Sequence, residues 1–228
     1  MSRGPWEAAA TKATLRVGDG RGFVVRRVLR HQPPLVVTAA HCLPSWPEAH
    51  PGTWGTLHRD LLGPLGGHTT VWADCLFVDP VGDVTVLGAV DNQELSEEAD
   101  AYEKLVENTI PLRIADVVLA EPVWLLSLDG VWFSFPVDHM GMGLILSQTA
   151  QPIRAGMSGS PIVQRGAAVG LISNSLGGID HSEHREGYEP RLVRHLPGWL
   201  LAANRVRREW EAHIARLSPG DHAVTPTR

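Results

Sequence analysis

The segment Gly156-Met157-Ser158-Gly159-Ser160-Pro161 sets a serine between glycines. Glycine permits a sharp turn, which would expose the Ser158 hydroxyl and aim the backbone N–H groups of Gly156 and Ser158 at one point where an oxyanion could form. Taken alone, the same segment also suits an ordinary loop ahead of the apolar pair Ile162-Val163. A serine hydroxyl is a weak nucleophile at neutral pH, so it needs a base within reach and a group that orients the base. His41, in Val37-Thr38-Ala39-Ala40-His41-Cys42, follows an apolar run and has small neighbours that leave its ring accessible. Asp83, in Gly82-Asp83-Val84-Thr85-Val86-Leu87, opens a stretch that reads as buried strand. An unpaired carboxylate there would be costly, and a histidine partner would relieve that cost. Asp79, ahead of Pro80 in a turn, and Asp74, in mid-strand, are the rival acids.

These residues need a scaffold, and the surrounding pattern is all-β. Runs rich in Val, Leu and Thr, punctuated by Gly or Pro, extend from Thr14 to Val17, Gly22 to Leu29, Leu35 to Thr38, Thr69 to Val78 and Val84 to Val90. A second series extends from Val123 to Leu128, Val131 to Val137, Leu144 to Gln148, Ser160 to Gln164 and Ala167 to Ser173. Asp129-Gly130 suits a two-residue hairpin loop, and Arg165-Gly166 is a candidate for another. Between the series, Asp91 to Asn108 is acidic, with Leu95, Ala99, Tyr102 and Leu105 at helical intervals, and reads as a solvated linker helix. After Pro197-Gly198, apolar residues from Trp199 to Leu217 recur every three or four positions, as in an amphipathic C-terminal helix. The expected organisation is therefore a first β half over 8–116 with the linker, a second over 117–195, a helix over 196–217 and a polar tail over 218–228. Paired small barrels fit this pattern, with a single large β-sandwich as the alternative.

Composition narrows the function. Hydrophobic residues at 43% and charged residues at 20% give the balance of a globular protein. A net charge of −5 with dispersed basic residues leaves no nucleic-acid footprint. The first thirty residues hold no apolar run of secretory length and no later stretch approaches a membrane span, so a cytoplasmic protein with no membrane role is expected. Cys42 and Cys75 are the only two cysteines, read as buried free thiols with a mutual bridge as the alternative. His181, Glu183 and His184 lack a clear fourth ligand, so neither a metal nor another cofactor is expected.

The order His41, Asp83, Ser158 along the chain separates this arrangement from the subtilisin and α/β-hydrolase orders. Its three blocks, TAAHC, GDVTVL and GMSGSP, resemble the signatures of the trypsin-like serine peptidases of chymotrypsin fold, a likeness running from about Val17 to the terminal helix. The resemblance implies two antiparallel six-stranded β-barrels with a C-terminal α-helix, His41 and Asp83 from the first barrel and Ser158 from the second. It also implies a serine endopeptidase acting on a polypeptide, with an oxyanion hole made by Gly156 and Ser158. Substrate backbone would pair along the strand carrying Ser173, Asn174 and Ser175.

The chain departs from family pattern in several places. No cysteine precedes Cys42 to take the bridge that secreted members form, which again favours the cytoplasm. Met157 stands where zymogen-activated members have an aspartate, so activation by that ion pair is excluded. Pro152 stands where trypsin has its specificity acid. Asp180, Glu183, Glu186 and Glu189 form a polar loop that could reach the substrate pocket or simply be solvated. Two further functions stay open at this point: a catalytically silent module that binds extended peptides, and a protease effector that becomes active when a regulatory protein orders its oxyanion loop.

Overall fold

A computed structural model describes residues 5–26, 33–45, 56–79, 82–119, 121–140, 143–146, 153–173 and 192–193. Six strands close into a barrel: β1 (Thr14–Val17), β2 (Gly20–Val25), β3 (Leu35–Thr38), β4 (Thr56–Pro64), β5 (Val71–Asp79) and β6 (Val84–Gly88), in the order β1-β2-β3-β6-β5-β4. Every pairing in it is antiparallel. β2, β3 and β6 are buried along their whole length. That explains why β3 and β6 carry no charged residue, whereas the one charge in β2, Arg21, is buried with them.

Two helices pack on this half. α1 (Pro5–Ala13), which periodicity did not reveal, leads directly into β1. Its Trp6 ring sits 5.6 Å from Trp124 and 5.2 Å from Trp132, and the Trp132 indole N–H donates to Thr11 Oγ1 at 3.0 Å. A domain start at residue 8 therefore falls inside a helix that straps the two halves together. α2 (Ser96–Glu107) occupies the expected linker and packs against β5, burying Ala99, Tyr102 and Val106 on one face. The Tyr102 hydroxyl donates to Pro34 O at 2.9 Å, securing the helix to the barrel.

The second half contains β7 (Arg113–Ile114), β8 (Val123–Leu126), β9 (Trp132–Phe135), β12 (Pro161–Gln164) and β13 (Ala167–Leu171) in one sheet, ordered β7-β13-β12-β8-β9. β10 (Val137–Met140), β11 (Gly143–Leu146) and β14 (Leu192–Val193) form a three-stranded sheet. Among the described residues this half is thus two sheets rather than a second closed barrel, and it contains one parallel pairing, β7 with β13. The segments 147–152 and 174–191, which lie between these strands, are outside the described residues, as are the expected helix over 196–217 and tail over 218–228.

Of the two expected hairpin turns, one differs from expectation and one agrees with it. At Asp129-Gly130 only Gly130 has positive φ (76°), and Ser127 N–H bonds Val131 O at 2.9 Å, so the loop has three residues with a terminal bulge. Arg165 and Gly166 both have positive φ, 51° and 72°, which is the two-residue turn whose twist suits a tight hairpin.

Two apolar clusters result among the described residues. The larger fills the barrel and takes in Val163, Ala168 and Leu171 from the second half. The smaller joins Val123, Leu125, Phe135, Met157, Ile162, Val169 and Ile172. Among the described residues no helix is long and apolar enough to cross a membrane.

Candidate active site

His41 lies on a short 3-10 turn, Ala40–Cys42, directly after β3. The turn carries its ring out of the barrel and leaves it exposed. Asp83 sits just before β6, the strand paired with β3, so closing the barrel brings the two together. The geometry is bidentate. His41 Nδ1 lies 2.8 Å from Asp83 Oδ2 and 3.0 Å from Oδ1, and the His41 backbone N–H donates to Oδ1 at 3.0 Å. An ionised carboxylate can only accept, so this contact places the ring proton on Nδ1 and leaves Nε2 as the basic nitrogen. Asp83 holds positive φ (54°), a conformation that aspartate tolerates better than most residues.

Asp83 is only 4% exposed. Burial alone would raise its pKa, but hydrogen bonds from the His41 ring and backbone and from the Ser173 hydroxyl, with the imidazole charge, hold it below the ordinary carboxylate value. The Ser173 bond, 2.7 Å to Oδ2, crosses from the second half and is fully buried. Sequence suggested Ser173 as part of the strand that pairs with substrate backbone; its side chain has a further role, the bond to the acid. A serine reads the same in either role, and nothing local reveals a partner ninety positions away. The rival acids lie elsewhere on β5: Asp74 is opposite Gly88 and Asp79 opposite Val84. Burial and the charge of Asp91 raise the pKa of Asp74.

Ser158 lies in a chain of turns. Met157 N–H bonds Arg154 O at 3.1 Å, Ser160 N–H bonds Met157 O at 3.0 Å, and Gly159 N–H bonds Ile172 O at 2.7 Å. Gly156 and Gly159 have φ of 86° and 76°, so both need glycine's freedom. Space separates the two. A Cβ at Gly156 would meet nothing nearer than Leu128 Cδ2 at 3.7 Å, whereas one at Gly159 would collide with the Arg21 carbonyl and Thr38 Oγ1. Gly159 is therefore where the turn presses onto the barrel.

The same seam fixes Ser158. Its carbonyl accepts the Arg21 N–H at 2.8 Å, and the Cys42 thiol donates to that oxygen at 3.6 Å. Arg21, 6% exposed, sends its guanidinium to Leu126 O at 2.7 Å and Ser127 O at 3.0 Å, while its own carbonyl accepts Thr38 Oγ1–H at 2.7 Å. One barrel residue thus binds both the Ser158 turn and the β8–β9 hairpin. A single sequence offers no sign of this, because an arginine beside Gly20 and Gly22 reads as a solvated strand end.

Cys42 and Cys75 are free and buried. Burial pushes their thiols up to about 11 and about 12 respectively, which leaves neither a competing nucleophile at neutral pH. Among the described residues no group of three or more His, Cys, Asp and Glu is placed to hold a metal ion. Asn174, Ser175, Pro152, His181, His184 and the loop acids Asp180, Glu183, Glu186 and Glu189 lie outside the described residues.

No family model matches the chain, and no curated protein sequence matches it. Solved structures do. The MamO protease domain from Magnetospirillum magneticum is 13% identical with a TM-score of 0.51, the match covering 85% of this chain and 97% of that one. A glutamic acid specific serine protease that uses a histidine triad in substrate binding is also 13% identical, with a TM-score of 0.50 over 85% of this chain and 96% of the other. At such identity the likeness shows the fold, that of the chymotrypsin-like serine proteases.

Proposed function

We propose that the chain is a serine endopeptidase in which Ser158 is the nucleophile, His41 the general base and Asp83 the group that orients and charges the base. The observation that carries this reading is the buried Asp83 carboxylate accepting from the His41 ring, the His41 backbone and Ser173 while the imidazole stays exposed. A histidine held only for structure has no need to present its ring to solvent. A general base requires it.

Ser158 Oγ attacks the scissile carbonyl carbon and its proton passes to His41 Nε2. The carbonyl oxygen becomes an oxyanion, held by the backbone N–H groups of Gly156 and Ser158. As the C–N bond breaks, the departing nitrogen takes the proton from His41 and leaves an ester on Ser158. Water then attacks the ester and gives a proton to His41. The new acid departs, and that proton returns to Ser158. Asp83 stays ionised throughout and stabilises the imidazolium.

The polypeptide substrate adds as an extended strand along 173–175, with Asn174 and Ser175 contributing contacts. Ser173 offers its backbone only, since its hydroxyl is committed to Asp83. No cofactor is required by this chemistry. Two free buried thiols suit a reducing compartment, which supports action in the cytoplasm.

A fluorophosphonate probe tests the reading. The folded protein should take the label and Ser158→Ala should abolish labelling with the fold intact. Folded wild-type protein that takes no label at any pH from 5 to 9 would overturn the proposal.

A further inference from the structure

Met157 separates the two residues whose N–H groups face the proposed oxyanion, and its side chain is buried in the apolar cluster of the second half. It is 1% exposed and packs with Val123, Leu125, Phe135, Ile162, Val169 and Ile172. Its sulfur also accepts the Arg154 backbone N–H at 3.3 Å, while its own N–H donates to Arg154 O at 3.1 Å. One residue therefore closes the turn 154–157 at both ends, once through the backbone and once through the thioether.

This anchoring differs in kind from that of Ser158, whose carbonyl is tied to β2 of the barrel. The turn is thus fixed on one side by apolar burial in the second half and on the other by hydrogen bonds from the first. Gly156, between Arg154 and Met157, has positive φ, and a Cβ there would make only ordinary contacts with Leu128 Cδ2 at 3.7 Å and Asp19 O at 3.8 Å, so no close packing pins it as it pins Gly159. Because Met157 is bonded to Arg154 through both its backbone N–H and its sulfur, fixing Met157 fixes both ends of the short segment that carries the Gly156 N–H.

We infer that Met157 is a positioning residue whose burial holds the oxyanion loop in working shape without a charged partner, so that activity needs no protein to order it. The inference rests on the proposed peptidase function. An unbranched thioether suits the task because it fills an irregular apolar gap and can still accept a weak hydrogen bond.

The test is saturation kinetics with the fluorophosphonate probe on wild type, Met157→Ala and Met157→Leu, alongside circular dichroism and melting. Met157→Ala should remain folded yet lose about 10²-fold in maximal labelling rate, the size of one lost oxyanion donor, with the half-saturating probe concentration unchanged. Met157→Leu, which restores apolar bulk, should recover most of that rate. Should Met157→Ala fail to fold, Met157→Val carries the test, with a smaller loss in the same sense.

Two results separate the failures. Wild type that never labels overturns the peptidase function itself. Wild type that labels while folded Met157→Ala or Met157→Val labels equally fast, with only a lower melting temperature, overturns the anchoring role and leaves the peptidase standing.

Discussion

In the barrel, the base and its acid are joined by neighbouring strands of one closed sheet: β3 delivers His41, β6 follows Asp83, and the two strands are hydrogen-bonded partners. In the second half, Ser158 sits on consecutive turns, and much of what fixes it comes from across the seam. Arg21 N–H holds its carbonyl, and Gly159 lies against Arg21 and Thr38. The first arrangement is local to one sheet; the second depends on how two halves pack. Damage to the first should therefore remove chemistry and spare the fold, whereas damage to the seam should weaken both together.

Asp83→Asn should have the largest effect and tests the local side of this contrast. The amide oxygen can still accept the His41 backbone N–H, so the barrel should stay folded. The amide cannot charge-stabilise an imidazolium and favours the wrong tautomer, which typically costs about 10⁴-fold in turnover. Labelling rate against melting temperature reads the outcome. A loss below about tenfold would mean that the His41–Asp83 pair is structural.

Arg21→Met tests the seam. It keeps an aliphatic stem but leaves Leu126 O and Ser127 O without the guanidinium that now serves both. Leaving buried acceptors unsatisfied costs on the order of 1–3 kcal/mol each, offset in part by no longer burying a cation. A net loss of about 2–3 kcal/mol in urea unfolding is expected, with slower labelling of the molecules that remain folded. Stability loss with unchanged labelling per folded molecule would show that the seam does not transmit to Ser158.

Ser173→Ala acts on both sides, since this second-half hydroxyl serves the barrel's acid. A hydrogen bond to a charged acceptor contributes about 1.5–3 kcal/mol, part of which water can recover. The depressed Asp83 pKa contributes stability that is fully present above the unfolded value of about 3.9 and is lost as pH falls through the lower folded value. Removing the Ser173 donor moves the folded value up. The variant should be less stable than wild type at neutral pH, should lose its carboxylate contribution at a higher pH on acidification, and should converge with wild type where both are protonated. Melting temperatures from pH 2 to 7 give the curve, and a constant gap at all pH would exclude Asp83 as the cause.

What could be read from the sequence follows the same division. β1 and β3 are legible to the residue: β1 alternates about its one exposed position, Arg16, and stops at Gly18, and β3 is a short Leu-Val-Val-Thr run that starts after Pro33-Pro34. β4 is not, because His58, Arg59 and Asp60 interrupt its alternation, where the register shifts and Asp60 turns to positive φ. α1 is nine residues with a weak apolar stripe, and only Trp124 and Trp132, over a hundred positions away, explain why it docks. The segments around His41, Asp83 and Ser158 announce their chemistry through residue type and order. Arg21 and Ser173 act through contacts between distant segments, which a single sequence does not encode in any local pattern.

The smallest expected effect asks whether the two halves unfold together. Gly66, in the turn between β4 and β5, and Gly130, in the β8–β9 hairpin, have φ of 80° and 76°, and a Cβ at either would meet nothing within 4 Å. Alanine at each therefore carries the backbone cost alone, about 1–2 kcal/mol for a left-handed residue. Val163, Ala168 and Leu171 of the second half are part of the barrel's own core, and Arg21 ties the hairpin to β2. That continuity predicts one cooperative transition, shifted by the same amount in Gly66→Ala and Gly130→Ala. If Gly130→Ala instead splits the urea transition, with labelling lost before the barrel's signal changes, the second half unfolds on its own, and the seam is then a contact between two folding units rather than part of one core.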